Sequence, residues 1–169
     1  MKTSQERIFL FVAAISILQI MYYAPLMPMQ MASHFDGGGL PNGWSPRTVF
    51  CGLYVGIVVL LFLSFRILPA MLSRFPDSMI NLPNKKYWLA TEQRAATFHM
   101  IKENLLFLGN GVLIFCLATF QLVFLANLTE GHRMNAGALW VLLVLLLIFV
   151  LSWTVRFIRS FRLPPEMVK

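Results

Sequence analysis

The residues able to carry acid–base, nucleophilic or metal chemistry are few and scattered. His34 and Asp36 form a His-x-Asp pair inside a stretch rich in glycine and proline, and His132 is the one other histidine expected on the same side of the chain. A metal site needs further ligands, and a catalytic pair needs a nucleophile beside it. The pair is therefore read as hydrogen-bonding groups that hold a loop, with no metal site and no catalytic residues expected. Cys51 and Cys116 fall in separate apolar runs, where a thiol serves as a small buried side chain. All three histidines lie in connectors, so no two of them can supply axial ligands to a haem at mid-membrane. Asn84-Lys85-Lys86 lacks the glycines of a phosphate-cradling loop. No cofactor is expected, and an enzyme is not the reading these residues favour.

The elements that must position these residues follow from composition. Of 169 residues, 58% are hydrophobic and 12% charged, too apolar a balance for a soluble domain. A membrane-spanning helix needs about 20 apolar residues, and four such runs occur: 8–24, 49–65 (extending to 72 if Arg66 snorkels), 105–128 and 136–155. They use nearly the whole chain, so residues 1–169 form a single all-α integral membrane domain with no separate catalytic unit. The first run is read as a retained helix rather than a cleaved signal, because Tyr22 and Gln30 spoil the small-x-small sites ending at Ala24 and Ala32. The last two runs, joined by a short connector, should form an antiparallel pair.

Twelve of the fourteen Lys and Arg residues fall before the first run, between the second and third, or after the fourth. Only Arg47 and Arg133 lie in the other connectors. The positive-inside rule makes both termini and the loop 73–104 cytoplasmic, and the loop 25–48 exoplasmic. The formal charge of +7 thus reads as topology, and nucleic acid is not an expected partner. Apart from Arg66 the runs hold no charged residue or histidine, which argues against a transporter or pump acting alone. Their polar residues, Ser16, Gln19, Asn110, Thr119, Gln121, Ser152 and Thr154, suit hydrogen bonds between helices. Gly52 and Gly56 form a small-x-x-x-small pair that permits close helix approach, expected first within the chain itself. Gly109 and Gly111 flank Asn110 and mark a kink or a contact point.

The loop 25–48 should be ordered, its glycines and prolines setting turns and Phe35 and Trp44 packing it against the membrane. Its pattern Pro-x5-His-Phe-Asp-x-x-Gly-x-Pro-x-Gly-Trp is carried by Pro28, His34, Phe35, Asp36, Gly39, Pro41, Gly43 and Trp44. It resembles a bacterial membrane-domain family of unknown function that also forms the N-terminal part of SdpI-type immunity proteins. The resemblance covers about residues 8–65 and implies a bacterial inner-membrane protein, with immunity to a secreted peptide toxin as a role found in the family. The immunity proteins carry further helices and a second region with no counterpart located in these residues. Residues 80–90 are similar to a loop of short, uncharacterised members.

On the cytoplasmic side, Lys85, Lys86, Tyr87 and Trp88 combine cations with aromatic rings as the headgroup zone favours. Ala95, Phe98, Ile101 and Leu105 recur at helical spacing, so residues 91–104 are expected to lie along the interface as an amphipathic helix before turning into the third span. Arg156, Arg159 and Arg162 form a basic face suited to anionic lipid, ended by Pro164-Pro165. The sum is a non-enzymatic accessory or scaffolding subunit with a membrane-protein partner or a second copy of itself. The alternative is an SdpI-like protein that senses a peptide through its exoplasmic loop.

Overall fold

The computed structural model describes residues 3–163; Lys2, Pro164, Pro165 and Lys169, used above for topology and helix termination, lie outside them. Helix α1 (Ser4–Tyr23) starts where Thr3 Oγ1 accepts from Glu6 N at 3.2 Å, an N-cap that satisfies one of the free amides of the first turn. It passes into a short 3-10 turn containing Pro25. After a two-stranded hairpin, α2 (Arg47–Phe62) begins directly behind Pro46, whose fixed φ suits entry into a helix. It runs on through a π-helical turn, Leu63–Ile67, into α3 (Leu68–Met71). The cause of the wide turn is Pro69: it has no N–H for the Phe65 carbonyl and its ring crowds that carbonyl.

A short α4 (Lys85–Trp88) precedes the longest helix, α5 (Thr91–Asn127), and Asn135 caps α6 (Ala136–Ser160) by accepting from Ala138 N at 3.0 Å. Four helical stretches, Ser4–Leu26, Arg47–Arg74, Thr91–Asn127 and Glu130–Ser160, are long and apolar enough to cross a membrane. All four contain the apolar runs expected from the sequence, or nearly so, and the helices extend beyond those runs at several ends.

Two expectations need correcting. Residues 91–104 do not lie apart from the third span; they are its first turns, in one unbroken helix of 37 residues, about 55 Å long. Nothing between Thr91 and Asn127 breaks the backbone, since the stretch contains no proline, and Phe98 and Ile101 face a protein core instead of lipid. Nor is the stretch 25–48 only a loop. Strands β1 (Gln30–Phe35) and β2 (Pro41–Pro46) pair antiparallel, with Gln30 opposite Pro46 and Phe35 opposite Pro41. The prolines occupy the two ends of β2, where a missing amide costs the ladder least.

Helix α5 is the spine. Its Leu106, Leu113, Val123 and Phe124 join Phe9, Val12 and Ile20 of α1 and Phe50, Tyr54 and Val58 of α2 in the main core. Tyr54 stacks on Phe120 with centroids 3.8 Å apart, and Tyr23 stacks on Phe124 at 4.9 Å. Gly109 is a contact point rather than a kink: a Cβ there would lie 2.6 Å from Cβ of Phe65. A smaller core beside the first turns of α5 holds Leu89, Phe98, Ile101 and Phe161. Helix α6 packs against α5 through Gly111 and Phe149, and among the described residues it buries none of its own.

One side chain of α5 pairs directly with the backbone of the hairpin. Asn127, at the last turn of α5, accepts from Ala32 N through Oδ1 at 2.8 Å and donates from Nδ2 to Ala32 O at 2.9 Å, imitating a third strand. Ala32 is fully buried, so no water can replace either bond. We expect Asn127→Ala to lower stability by about 2–3 kcal/mol, the cost of stranding a buried amide together with the lost bonds. Thermal unfolding in detergent and hydrogen exchange at the Ala32 amide measure this; unchanged protection at Ala32 would show that the hairpin is held some other way.

Candidate functional site

The hairpin residues singled out by the sequence come together, and most of them build the hairpin itself. Asp36 Oδ1 accepts from Gly38 N at 2.9 Å and Leu40 N at 2.8 Å, so its carboxylate closes the turn. Gly39 adopts φ +85° there, and its carbonyl accepts from Met134 N at 2.9 Å, docking the tip onto the connector before α6. Gly43 sits opposite His34 where β1 carries an extra residue. A Cβ on Gly43 would come 2.9 Å from Cβ of His34, so the bulge requires glycine. Phe35 packs against the main core, where the sequence analysis expects it at the membrane surface. Pro28 is half-buried just before β1, and Pro41 begins β2.

His34 and Trp44 point outward. His34 is exposed, its Nδ1 and Ser33 Oγ 3.1 Å apart and sharing a hydrogen bond. Trp44 is half exposed and meets the His132 ring edge-on at 5.2 Å. His132 adopts φ +51° beside Gly131 at +78°. Among the described residues no three His, Cys, Asp or Glu side chains gather closely enough to hold a metal ion.

Deeper between the helices is a neutral hydrogen-bond relay. Gln19 donates to the Leu117 carbonyl at 3.1 Å and to Gln121 Oε1 at 2.8 Å, and accepts from Tyr54 OH at 2.5 Å. Gln121 in turn donates to Tyr23 OH at 2.6 Å. This is the interhelical role expected of Gln19 and Gln121, while Tyr23 and Tyr54 enter only through the fold. Asn110 behaves likewise, donating to the Gln5 carbonyl and to its Oε1 at 3.2 and 2.9 Å. Gly52 and Gly56 do not bring helices of this chain together: among the described residues neither has a neighbour within 4 Å of where a Cβ would sit, because α2 turns their face outward.

At the opposite end of α1 lies a charge cluster that sequence reasoning missed. Arg66 does not snorkel away. Its Nη2 meets Glu6 Oε1 at 2.5 Å, and Lys102 Nζ lies 3.4 Å from Glu6 Oε2. The Glu6 side chain is 5% exposed, those of Arg66 and Lys102 about a quarter. Arg66 lies within the π turn Leu63–Ile67. The apolar run starts at Ile8, so Glu6 falls outside the first span on sequence alone, whereas in the structure it is the acid in the first turn of α1 behind the capping Thr3.

The basic segments divide. Trp88 turns inward, donating from Nε1 to the Phe161 carbonyl at 3.0 Å, and Asn84 Nδ2 donates to the same oxygen at 2.9 Å, so the end of α6 is held by the α4 segment. Lys85 and Tyr87 are half-buried and Lys86 exposed; Arg156, Arg159 and Arg162 are exposed. Arg94 pairs with Asp77 on the same side.

No protein family, curated protein or solved structure matches the chain. The site is therefore read from its own geometry. Removing Glu6 leaves two cations facing each other at a largely buried position, so Glu6→Gln should destabilise the protein by about 3 kcal/mol, the low end for breaking a buried pair from one side. Lys102→Met, which removes the longer and more exposed contact, should cost less than about 1 kcal/mol. Denaturation in mixed micelles compares them, and equal losses from the two substitutions would contradict a cluster centred on Glu6 and Arg66.

Proposed function

We propose that the chain is a non-enzymatic subunit of a larger membrane assembly, in which a helix of a partner protein or of a second copy lies against the Gly52–Gly56 face of α2. The supporting observation is the open space at both glycines. Each glycine costs a helix roughly 1 kcal/mol against alanine, and lipid tails gain nothing from small residues; close approach of another helix does. The uncharged spans and the ordered elements at both ends suit a scaffold. In this reading the protein lies in a bacterial inner membrane with both termini and residues 73–104 cytoplasmic, as the distribution of Lys and Arg favours. The Lys85, Lys86, Arg159 and Arg162 side chains then meet anionic headgroups.

A second reading, peptide sensing or immunity of SdpI type, draws on the hairpin: Met29 before it, Leu40 at its turn and Trp44 in β2 are exposed apolar side chains, and His34 of β1 is exposed as well. It predicts that deleting the gene sensitises cells to one peptide toxin and that Trp44→Ala does so without loss of protein.

The two are separated by purification from native membranes. The subunit reading expects a stoichiometric companion, lost on Gly52→Leu or Gly56→Leu although either variant keeps the thermal stability of the isolated chain, since nothing among the described residues lies within 4 Å of an added Cβ. A protein that purifies as a lone monomer, unaffected by these substitutions, would overturn it.

A further inference from the structure

Between α1, α5 and α6 runs a crevice whose chemistry changes along its length. One end is a polar cavity of about 350 Å³ lined by Gln5, Glu103, Asn104, Phe107 and Arg156. Gln5 and Phe107 also border the next section, about 370 Å³, which is walled by Ile8, Ile114 and Phe149 with Asn110 among them. Ile114 and Phe149 then lead into a third, wholly apolar slot between α5 and α6 of about 190 Å³. Because α6 buries none of its residues among those described, the crevice is reached sideways, from the apolar surroundings of the helices.

Three groups in it are left without partners. Glu103 Oε1 is buried and accepts no hydrogen bond, and among the described residues Glu103 joins no ion pair. Arg156, an exposed residue, lines the same cavity, again with no carboxylate within 4.0 Å of its guanidinium among the described residues. Asn110, 5% exposed, spends its amide nitrogen on Gln5 and leaves Oδ1 buried without a donor. Two acceptors thus lack N–H or O–H groups, and one cation lacks an anion, in a cavity that continues into a hydrocarbon-lined channel. The two buried acceptors call for donors, and a carboxylate and an exposed guanidinium that line one cavity without meeting suit a ligand that carries both signs.

We propose that this crevice is a binding site for a phospholipid with a primary ammonium group, of the phosphatidylethanolamine class. The phosphate is held by Arg156, the ammonium donates to Glu103, and an acyl chain lies along Phe107, Ile114 and Phe149. A choline head brings the phosphate and the positive charge but no N–H for Glu103. A phosphatidylglycerol head brings the phosphate and sets no cation against the Glu103 carboxylate. The site is thus distinct from the generic attraction of the exposed arginines to anionic lipid, and it does not rest on the subunit reading.

The test uses the full-length protein in detergent, stripped of lipid and titrated with phosphatidylethanolamine, phosphatidylcholine or phosphatidylglycerol of identical acyl chains, with bound lipid counted by native mass spectrometry. Phosphatidylethanolamine should bind about tenfold tighter than either of the others, the difference of one charge-assisted hydrogen bond. Glu103→Gln should erase its advantage over phosphatidylcholine, and Arg156→Gln should weaken both zwitterionic lipids about tenfold. Arg159→Gln, outside the crevice, should change neither. If Glu103→Gln does not fold, the exposed Arg156 substitution and the comparison of the three lipids in the unaltered protein decide the matter. Equal binding of the three lipids, tightest binding of phosphatidylglycerol, or a preference that survives Glu103→Gln would overturn the proposal.

Discussion

A polar group placed among apolar helices has no water to turn to, and the cost of leaving it unpaired exceeds what any single packing contact returns. The arrangement of this protein is best understood from where each such group finds its partner. Gln19 of α1 is answered by Gln121 and the Leu117 carbonyl, the Ala32 backbone by Asn127, Gln5 by Asn110, and Glu6 in part by Lys102. Every one of these answering groups belongs to α5. The helix is central because it carries the complementary half of these contacts, and the aromatic and aliphatic core closes around those fixed points.

The two ends of α5 use different physics. Toward Asn127 the contacts are neutral amides and phenols, whose hydrogen bonds hold in a medium of low polarity without the solvation cost of ions. Toward Thr91 they become ionic, with Glu6 between Arg66 and Lys102 and Arg94 against Asp77. The change follows the sequence of the helix, whose charged residues, Glu92, Arg94, Lys102 and Glu103, all lie in its first turns. There a second core grips the end of α6, the Phe161 carbonyl taking bonds from both Asn84 and Trp88. One continuous rod therefore joins two separately packed regions.

How much of this could be read beforehand depended on the range of the interaction. Apolar length and caps are local, so the four long helices were visible. The Asp36 turn is also local, and its role as a hydrogen-bonding group was legible from the residues around it. The hairpin was not, since its strands contain Pro41, Gly43 and Pro46, residues that read as turn formers until their pairing shows that each occupies a strand end or a bulge. The ion cluster escaped because it joins residues far apart in sequence, and because Glu6 stands just outside the apolar run that marks the span. Residues 91–104 were misplaced for a related reason: Phe98 and Ile101 make an apolar stripe, and a stripe does not reveal whether lipid or protein covers it.

The Asn127 contact spans 95 residues of sequence. The hairpin is made early, together with the first helix, but its seat is the last turn of a helix completed much later. At ordinary rates of translation that interval is about 5–20 s. During it the amide and carbonyl of Ala32 have no permanent partner and must be kept hydrated or otherwise protected. The order of synthesis therefore runs opposite to the order of dependence: the hairpin emerges well before the asparagine that bonds its buried Ala32 backbone.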